Sequence, residues 1–381
     1  MKAIIVGGGI GGLTAAIALG RAGVEAGVFE RAEELREIGA AVTLWANATK
    51  ALKKLGVYDA VREAGGADLG GEIRSWRGER ISEISADQLR SNLGEANLAV
   101  HRADLQGALL AALPRGTVRL GAQFVGLAQE GAGVVARFAD GSEERGDLLL
   151  GVDGIHSSVR ARLFGRSALR YAGYTAWRGI ADAGGNGLLP EEVGLNLWGR
   201  GSEFGLAGIG RGRFYWFVTR NAPEGEAEDA QGRKREVLDL LGGWYEPARA
   251  AVASTAASKI LRNDIYDRDP LERWGAGRVT LLGDAAHPMT PNLGQGGCQG
   301  IEDAVVLGEC LGEGGEVVSS LRLYEARRIP RTADVVRRSR LAGRILQLEN
   351  PLLCRLRDAV ARRTSARAQL RQLGSVARYE A

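Results

Sequence analysis

The chain is poor in the residues that build metal, disulfide and nucleophile sites. Its three cysteines, Cys298, Cys310 and Cys354, are odd in number and show neither CxxC nor metal-ligand spacing. That argues against a disulfide framework and a zinc site, and it fits a reducing, cytoplasmic compartment with no bound metal. His101, His156 and His287 are the only histidines, and no G-x-S-x-G occurs, so a hydrolase triad cannot be assembled. No apolar run approaches the ~18 residues that a membrane span needs. No internal repeat is visible. The net charge of +4 is modest for 381 residues, and the basic excess sits late in the chain. There Arg327, Arg328, Arg331, Arg337, Arg338, Arg340 and Arg344 precede Arg355, Arg357, Arg362, Arg363, Arg367 and Arg371, with Leu and Val interleaved at helical spacing. This reads as long amphipathic helices with solvated arginine faces. No aromatic residue accompanies these arginines before Tyr379, which argues against stacking on nucleic acid bases. The expectation is no nucleic acid partner and no stable membrane association.

Glycine is what the chain has in quantity, and it is concentrated where it carries information. Lys2 to Val6 reads as a short buried strand. Gly7, Gly9 and Gly12 then supply G-x-G-x-x-G, with Gly8 and Gly11 between them, and Leu13 to Leu19 continues as a helix. Val24 to Phe29 is a second strand that ends in Glu30, 18 positions past Gly12. Strand, glycine turn, helix, strand and acid are the dinucleotide fingerprint in its required context. The glycine density and the missing cleavage pattern weigh against reading this apolar start as a secretory leader. A second glycine-rich stretch runs from Gly283-Asp284-Ala285-Ala286-His287-Pro288 through Pro291 to Gly294-Gln295-Gly296-Gly297, between a strand at Arg278–Leu282 and a helix pattern at Ile301–Leu311. A glycine-rich turn feeding a helix aims free N–H groups at something electron-rich. Asp284, at the strand's end, can accept hydrogen bonds from a sugar-like chain. A third segment, Gly151-Val152-Asp153-Gly154-Ile155-His156, follows another apolar strand.

With these three segments in this order, the chain resembles the single-component FAD-dependent aromatic hydroxylases, the group A flavoprotein monooxygenases of the p-hydroxybenzoate hydroxylase fold. The resemblance covers essentially the whole chain. It implies an α/β architecture: a Rossmann-like FAD-binding domain (1–70, 97–165 and 272–345), an inserted, mostly antiparallel β-sheet substrate domain (71–96 and 166–271) and a C-terminal helical tail (346–381). It implies that FAD is held by Gly7, Gly9, Gly11, Gly12, Glu30, Arg31, Thr43, Arg102, Val125, Asp153, Asp284, Pro291, Gly294, Gln295, Gly296 and Gly297. The chemistry implied is reduction of FAD by NAD(P)H, capture of O2 as a C4a-hydroperoxyflavin, and hydroxylation of a small aromatic or heteroaromatic substrate. Dryness matters to that chemistry, and the aromatic-rich segment from Tyr171 to Phe217 is expected to roof the flavin. No second nucleotide fingerprint is present, which fits a nicotinamide donor that visits and leaves. His287 reads as a structural residue near the flavin, and Cys298 as a small residue beside it or an attachment point for it.

The pattern nearest to Tyr171-Ala172-Gly173-Tyr174-Thr175-Ala176-Trp177-Arg178-Gly179 is that of the bacterial urate hydroxylases. There a small amide stands in place of Arg178, an arginine in place of Glu203 and an acid in place of Asn292. These departures remove the groups suited to clamping an anionic purine and argue against urate. Arg178, Tyr215 and Asn292 are the substrate-pocket candidates. Two other enzymatic readings share the scaffold, a flavin-dependent reductase or dehydrogenase and an epoxidase of a polyene. The Trp-x-Trp-x-Ile-Pro motif of flavin halogenases is absent. A non-enzymatic flavin module is expected to carry partner domains. The chain is expected to act as a monomer or a homodimer through its final helices.

Overall fold

Strand Lys2–Val6 is apolar beyond its first residue because both of its faces are covered. It forms the centre of a five-stranded parallel sheet in the order Val279–Leu281, Leu148–Gly151, Lys2–Val6, Glu25–Phe29, Val118–Arg119. The structure, a computed structural model, describes residues 1–35, 41–182, 188–225 and 229–381. Helices Ile10–Arg21 and Gly296–Gly312 pack together over this sheet. The antiparallel strands Phe124–Glu130, Gly133–Phe138 and Glu143–Gly146 add Val134, Ala136 and Phe138 to the same core. The three glycine-bearing segments leave the carboxyl ends of three strands of this sheet, where an open parallel sheet binds its ligands.

A second sheet of seven strands runs Leu261–Asp267, Arg170–Asp182, Arg213–Asn221, Ser202–Gly208, Val193–Trp198, Gly70–Ser75, Arg80–Ile84. All its pairings are antiparallel except Val193–Trp198 with Gly70–Ser75. Side chains alternate across it. Trp177, Leu197, Phe204, Trp216 and Val218 pack against helices Ala230–Leu240 and Glu246–Ser254. Arg178, Tyr215 and Phe217, one position out of phase, point to the opposite face. A Cβ at Gly205 would lie 2.1 Å from the Phe217 ring, so only glycine lets that ring lie flat on the open face.

Two local expectations shift. By pattern, Val118 to Val125 and Gly133 to Phe138 read as a hairpin closed by Asp140-Gly141; in the structure Val118–Arg119 pairs with Glu25–Phe29 instead, and Gly133–Phe138 pairs with Phe124–Glu130. Asp140-Gly141 turns the next hairpin, into Glu143–Gly146. The polar run from Asn221 to Lys234 reads as an exposed loop leading into a helix; Asn221 belongs to strand Arg213–Asn221, helix Ala230–Leu240 takes up its end, and residues 226–228 lie outside the described residues.

One buried cluster ties these parts together. Arg328, on the long helix Val317–Leu346, is fully buried and donates to Asp303 Oδ1 and Glu302 Oε2, both at 2.6 Å, and to Gln299 Oε1 at 2.9 Å. Asp303 Oδ2 accepts from the Gly283 amide at 3.0 Å and lies 2.6 Å from His287 Nε2. Arg331 grips Glu302 through both oxygens at 2.7 Å, and Asn47 reaches Glu302 and Gln295. Burial alone would raise the Asp303 carboxyl, but His287 and Arg328 outweigh it and hold it at about 2. Removing one partner of such a cluster strands the other charges without water. Arg328→Ala is therefore expected to destabilise the fold by roughly 3–5 kcal/mol, measured by urea denaturation, whereas Arg338→Ala on the exposed side of the same helix changes it by under about 1 kcal/mol.

Candidate active site

The first glycine turn is shaped by close backbone contact. Gly7 has φ +115°, and a Cβ there would lie 2.4 Å from Val152 O; one on Gly12 would lie 1.9 Å from Gly7 O. The turn therefore abuts the Val152-Asp153 segment. At Gly9 a Cβ would meet nothing within 4 Å, so the turn opens onto free space there. Helix Ile10–Arg21 starts with no side-chain cap, which leaves its first amides free to donate. Glu30 takes the Gly8 amide at 2.7 Å and the Ala32 amide at 3.0 Å, and Gln106 donates to Gly8 O at 2.9 Å. Arg31 follows on the exposed rim.

The second glycine stretch lies across from it. Asp284 is hemmed in by protein, and burial pushes its carboxyl up while His287 and Arg102 pull it down. Its side chain nonetheless opens to solvent. Arg102 begins helix Arg102–Ala111 and is exposed, so acid and base from distant segments share one cleft. A Cβ at Gly296 would sit 3.9 Å from Asp284 Oδ1, which brings that loop alongside. Pro291 starts the turn Pro291–Leu293, and Gly294 follows at φ +61°. Helix Gly296–Gly312 also lacks a side-chain cap. Strand Ala41–Leu44 closes the side: Cys298 Sγ lies 3.5 Å from Thr43 O, and Trp45 Nε1 is buried without a partner beside Gly294. Cys298 is fully buried, and burial pushes its thiol up to about 12, so it acts as packing. Gln295 turns its side chain into the buried cluster, which leaves only its backbone for a ligand.

Two uncapped helix N-termini, open space over Gly9 and a solvent-open carboxylate at Asp284 fit an elongated anionic cofactor with a polyol chain. Ser157 caps helix Ser158–Phe164 through the Arg160 amide at 2.9 Å, and Asp153 accepts from the Ser158 amide at 2.6 Å. Val125 stands apart from the other candidates, 42% exposed, with its carbonyl taking Arg162 at 2.7 Å. It borders a groove of about 620 Å3 beside the Asp153 loop, lined by His156, Arg160, Arg162, Arg166 and Arg268 with no acidic residue. Burial and the charge of Arg268 push the Arg160 guanidinium down to about 10.

On the open face of the large sheet, Arg178 pairs in register with Phe217, and Tyr215 with Ile180. Burial pushes the Tyr215 phenol up while Arg178 pulls the other way, so the two are electrostatic neighbours. Tyr215 and Ile180 pack towards Ala41 and Ala99, which brings this face over the strand that flanks the glycine loop. Asn292 accepts from Tyr174 OH at 2.8 Å, joining the loop to the sheet. Glu203 is buried on the same sheet and accepts from Asn196 at 2.7 Å. Arg160 closes the motif that begins at Gly151, whereas Arg162, Arg166 and Arg268 lie outside any motif and are brought to the groove by the fold.

The comparisons with known proteins agree with this geometry. The family described as FAD binding domain matches residues 1–339. The chain belongs to that family. It is an FAD-dependent monooxygenase with the p-hydroxybenzoate hydroxylase fold, reduced by NAD(P)H. It is 42% identical to the aurachin C monooxygenase/isomerase of Stigmatella aurantiaca over 96% of this chain and 95% of that one. It is 35% identical to the FAD-dependent urate hydroxylase of Klebsiella pneumoniae over 95% and 96% of the two chains. The crystal structure of Klebsiella pneumoniae HpxO with FAD and uric acid superposes with a TM-score of 0.93 at 34% identity, covering 99% of this monooxygenase and 96% of that chain. Among the described residues no helix is long and apolar enough to cross a membrane.

Burial pushes the Glu203 carboxyl up to about 7 from 4.5, against the Asn196 hydrogen bond and the charge of Arg357. A raised carboxyl favours the fold while protonated and loses that advantage as pH climbs to its folded value. Stability is thus expected to fall between about pH 4.5 and 7, by roughly 3 kcal/mol at ~1.4 kcal/mol per unit. Thermal melts of wild type and Glu203→Gln across this window check it: the variant should lack this part of the slope.

Proposed function

We propose that this monooxygenase hydroxylates a neutral or weakly acidic aromatic or heteroaromatic ring held between the flavin and the Arg178–Tyr215 face of the seven-stranded sheet. Residues 1–70, 97–165 and 272–345 carry FAD in this reading, 71–96 and 166–271 carry the substrate, and 346–381 form the helical tail. Bound and reduced, FAD activates O2 for transfer to an electron-rich carbon. Gly7, Gly9, Gly11 and Gly12 leave room for its pyrophosphate at the first helix N-terminus, with Glu30 and Arg31 at the ribose end and Val125 towards the adenine. Asp153, Asp284 and Arg102 hold the middle of the molecule. Pro291, Gly294, the backbone of Gln295, Gly296, Gly297 and Thr43 flank the ring.

The observation that carries the substrate reading is the charge pattern of the open face. Arg178 stands beside Tyr215, which remains a protonated donor because burial raises its phenol. A ring hydroxyl or carbonyl facing this pair meets one cation and one neutral hydrogen-bond donor. The buried Glu203, on the same sheet, offers an anionic ring no positive charge to pair with. Asn292 has its amide oxygen engaged by Tyr174 and offers no acid. This combination supports a substrate nearer in kind to that of the aurachin C relative than to urate. Phe217, Ile180 and Ala207 supply apolar cover that keeps water from the reacting atoms.

The groove beside Asp153 supports docking of the reductant. Five basic side chains without an acidic one match the phosphates of a nicotinamide dinucleotide, which arrives without a fingerprint of its own.

NAD(P)H oxidation, O2 uptake and peroxide are to be followed together with aurachin C and with urate. Aurachin C is expected to stimulate oxidation with little peroxide. Urate turnover without peroxide would overturn the substrate reading, and product formation without O2 would favour a reductase. Tyr215→Phe should lower kcat/KM by about 3–10-fold, the worth of one hydrogen bond. Arg268→Ala should raise KM for NAD(P)H about tenfold, the equivalent of ~1.4 kcal/mol, while substrate affinity stays unchanged.

A further inference from the structure

The tail exposes an apolar face that nothing in the fold covers. Leu341 and Ile345 lie one turn apart near the end of helix Val317–Leu346, and both are exposed. After a short connection, helix Pro351–Arg363 continues the face with Leu352, Leu353, Leu356 and Val360, of which Leu352 is 71% exposed and Leu356 59%. Spacings of three to four residues put these side chains in one stripe. The helix is not frayed. Asn350 caps it through the Leu352 and Leu353 amides. On its inner side Cys354 and Arg357 are buried, and Arg357 donates to Leu346 O and Gly199 O at 3.2 and 3.0 Å. A firmly docked helix therefore holds leucines outward.

Arginines are interleaved with them. Arg337 and Arg344 flank Leu341 by four and three residues, and Arg355 and Arg363 fall on the Leu352–Leu356–Val360 side of their helix. All four are exposed, and among the described residues none makes an ion pair or hydrogen bond. Nearby acids are already engaged: Asp358 by Arg357, Asp334 by Arg338 and Glu349 by Asn221. A two-fold contact with a second copy would press unpaired arginines against their own kind and away from water, which is costly. An anionic bilayer surface has the complementary arrangement, with acyl chains for the leucines and phosphates just above for the guanidinium groups.

We propose that this face docks the enzyme peripherally on membranes containing anionic phospholipid. The contact is interfacial and does not rest on the substrate reading.

The test is co-sedimentation of the FAD-loaded full chain with phosphatidylcholine vesicles, made with and without phosphatidylglycerol, at low and high salt. The expected result is partitioning onto the phosphatidylglycerol vesicles, weakened by salt. Leu352→Glu/Leu356→Glu should reduce that partitioning by at least about tenfold, and Arg355→Gln/Arg363→Gln should remove most of the preference for the anionic lipid. Both double variants should keep the flavin spectrum and the rate of NAD(P)H oxidation, because all four side chains are exposed and none belongs to the cofactor or substrate site. Equal partitioning onto both vesicle types, or none, would overturn the proposal. So would light scattering that finds a wild-type dimer converted to a monomer by Leu352→Glu/Leu356→Glu, which would assign the face to a second copy.

Discussion

Everything at the flavin end depends on a buried arginine that neutralises two adjacent carboxylates. Helix Gly296–Gly312 brings Glu302 and Asp303 into the interior, where unpaired charges cannot stay. Arg328 from the next helix reaches both, and Arg331 completes Glu302. Asp303 in turn holds the Gly283 amide and His287, on either side of Asp284. The loop that presents Asp284 to the cleft is therefore pinned from behind by a charge cluster on another element. Such a cluster adds little net stability over an apolar core. What it adds is one geometry for a loop whose glycines would otherwise allow many.

The division of labour follows from that rigidity. The cofactor carries the oxygen chemistry, and the chain contributes position, charge and exclusion of water. Gln295 and Cys298 illustrate how tightly the loop is shared. Their side chains face the protein, in the charge cluster and against Thr43, so the loop meets a ligand with backbone and glycine alone. Backbone donors at a helix start suit a large flat anionic ring better than flexible side chains do.

The open face of the second sheet is separate from its structural face, because alternation along each strand sends neighbouring side chains to opposite sides. Trp177, Phe204 and Trp216 hold the sheet to its helices, while Arg178, Tyr215 and Phe217 on the other side are free to change with the ligand. A relative sharing 34% identity has the same fold in a complex with FAD and uric acid, so the scaffold persists across a large change of sequence.

Much of the nucleotide-binding frame was legible in the chain alone, because Gly7, Gly12 and Asp284 answer to local geometry: a tight turn, a close backbone approach, an acid at a strand's end. The large sheet was legible as aromatic strands, but not its order, since strand pairing depends on contacts far apart in sequence. Val118–Arg119 joins the parallel sheet rather than the following hairpin because its partner is Glu25–Phe29, about ninety residues earlier. The basic groove draws His156, Arg160, Arg162 and Arg166 from one short stretch around helix Ser158–Phe164, but Arg268, which completes it, comes from far along the chain and is placed there only by the fold. The late arginines read uniformly as solvated faces, whereas the structure distinguishes them: Arg328 is the buried hub, Arg340 is paired with Asp267, and Arg355 stands unpaired among exposed leucines. Periodicity assigns a residue to a helix and local chemistry to a turn. Which face of that helix meets protein, ligand or solvent is decided by the packing of elements distant in sequence, and only the tertiary structure holds that information.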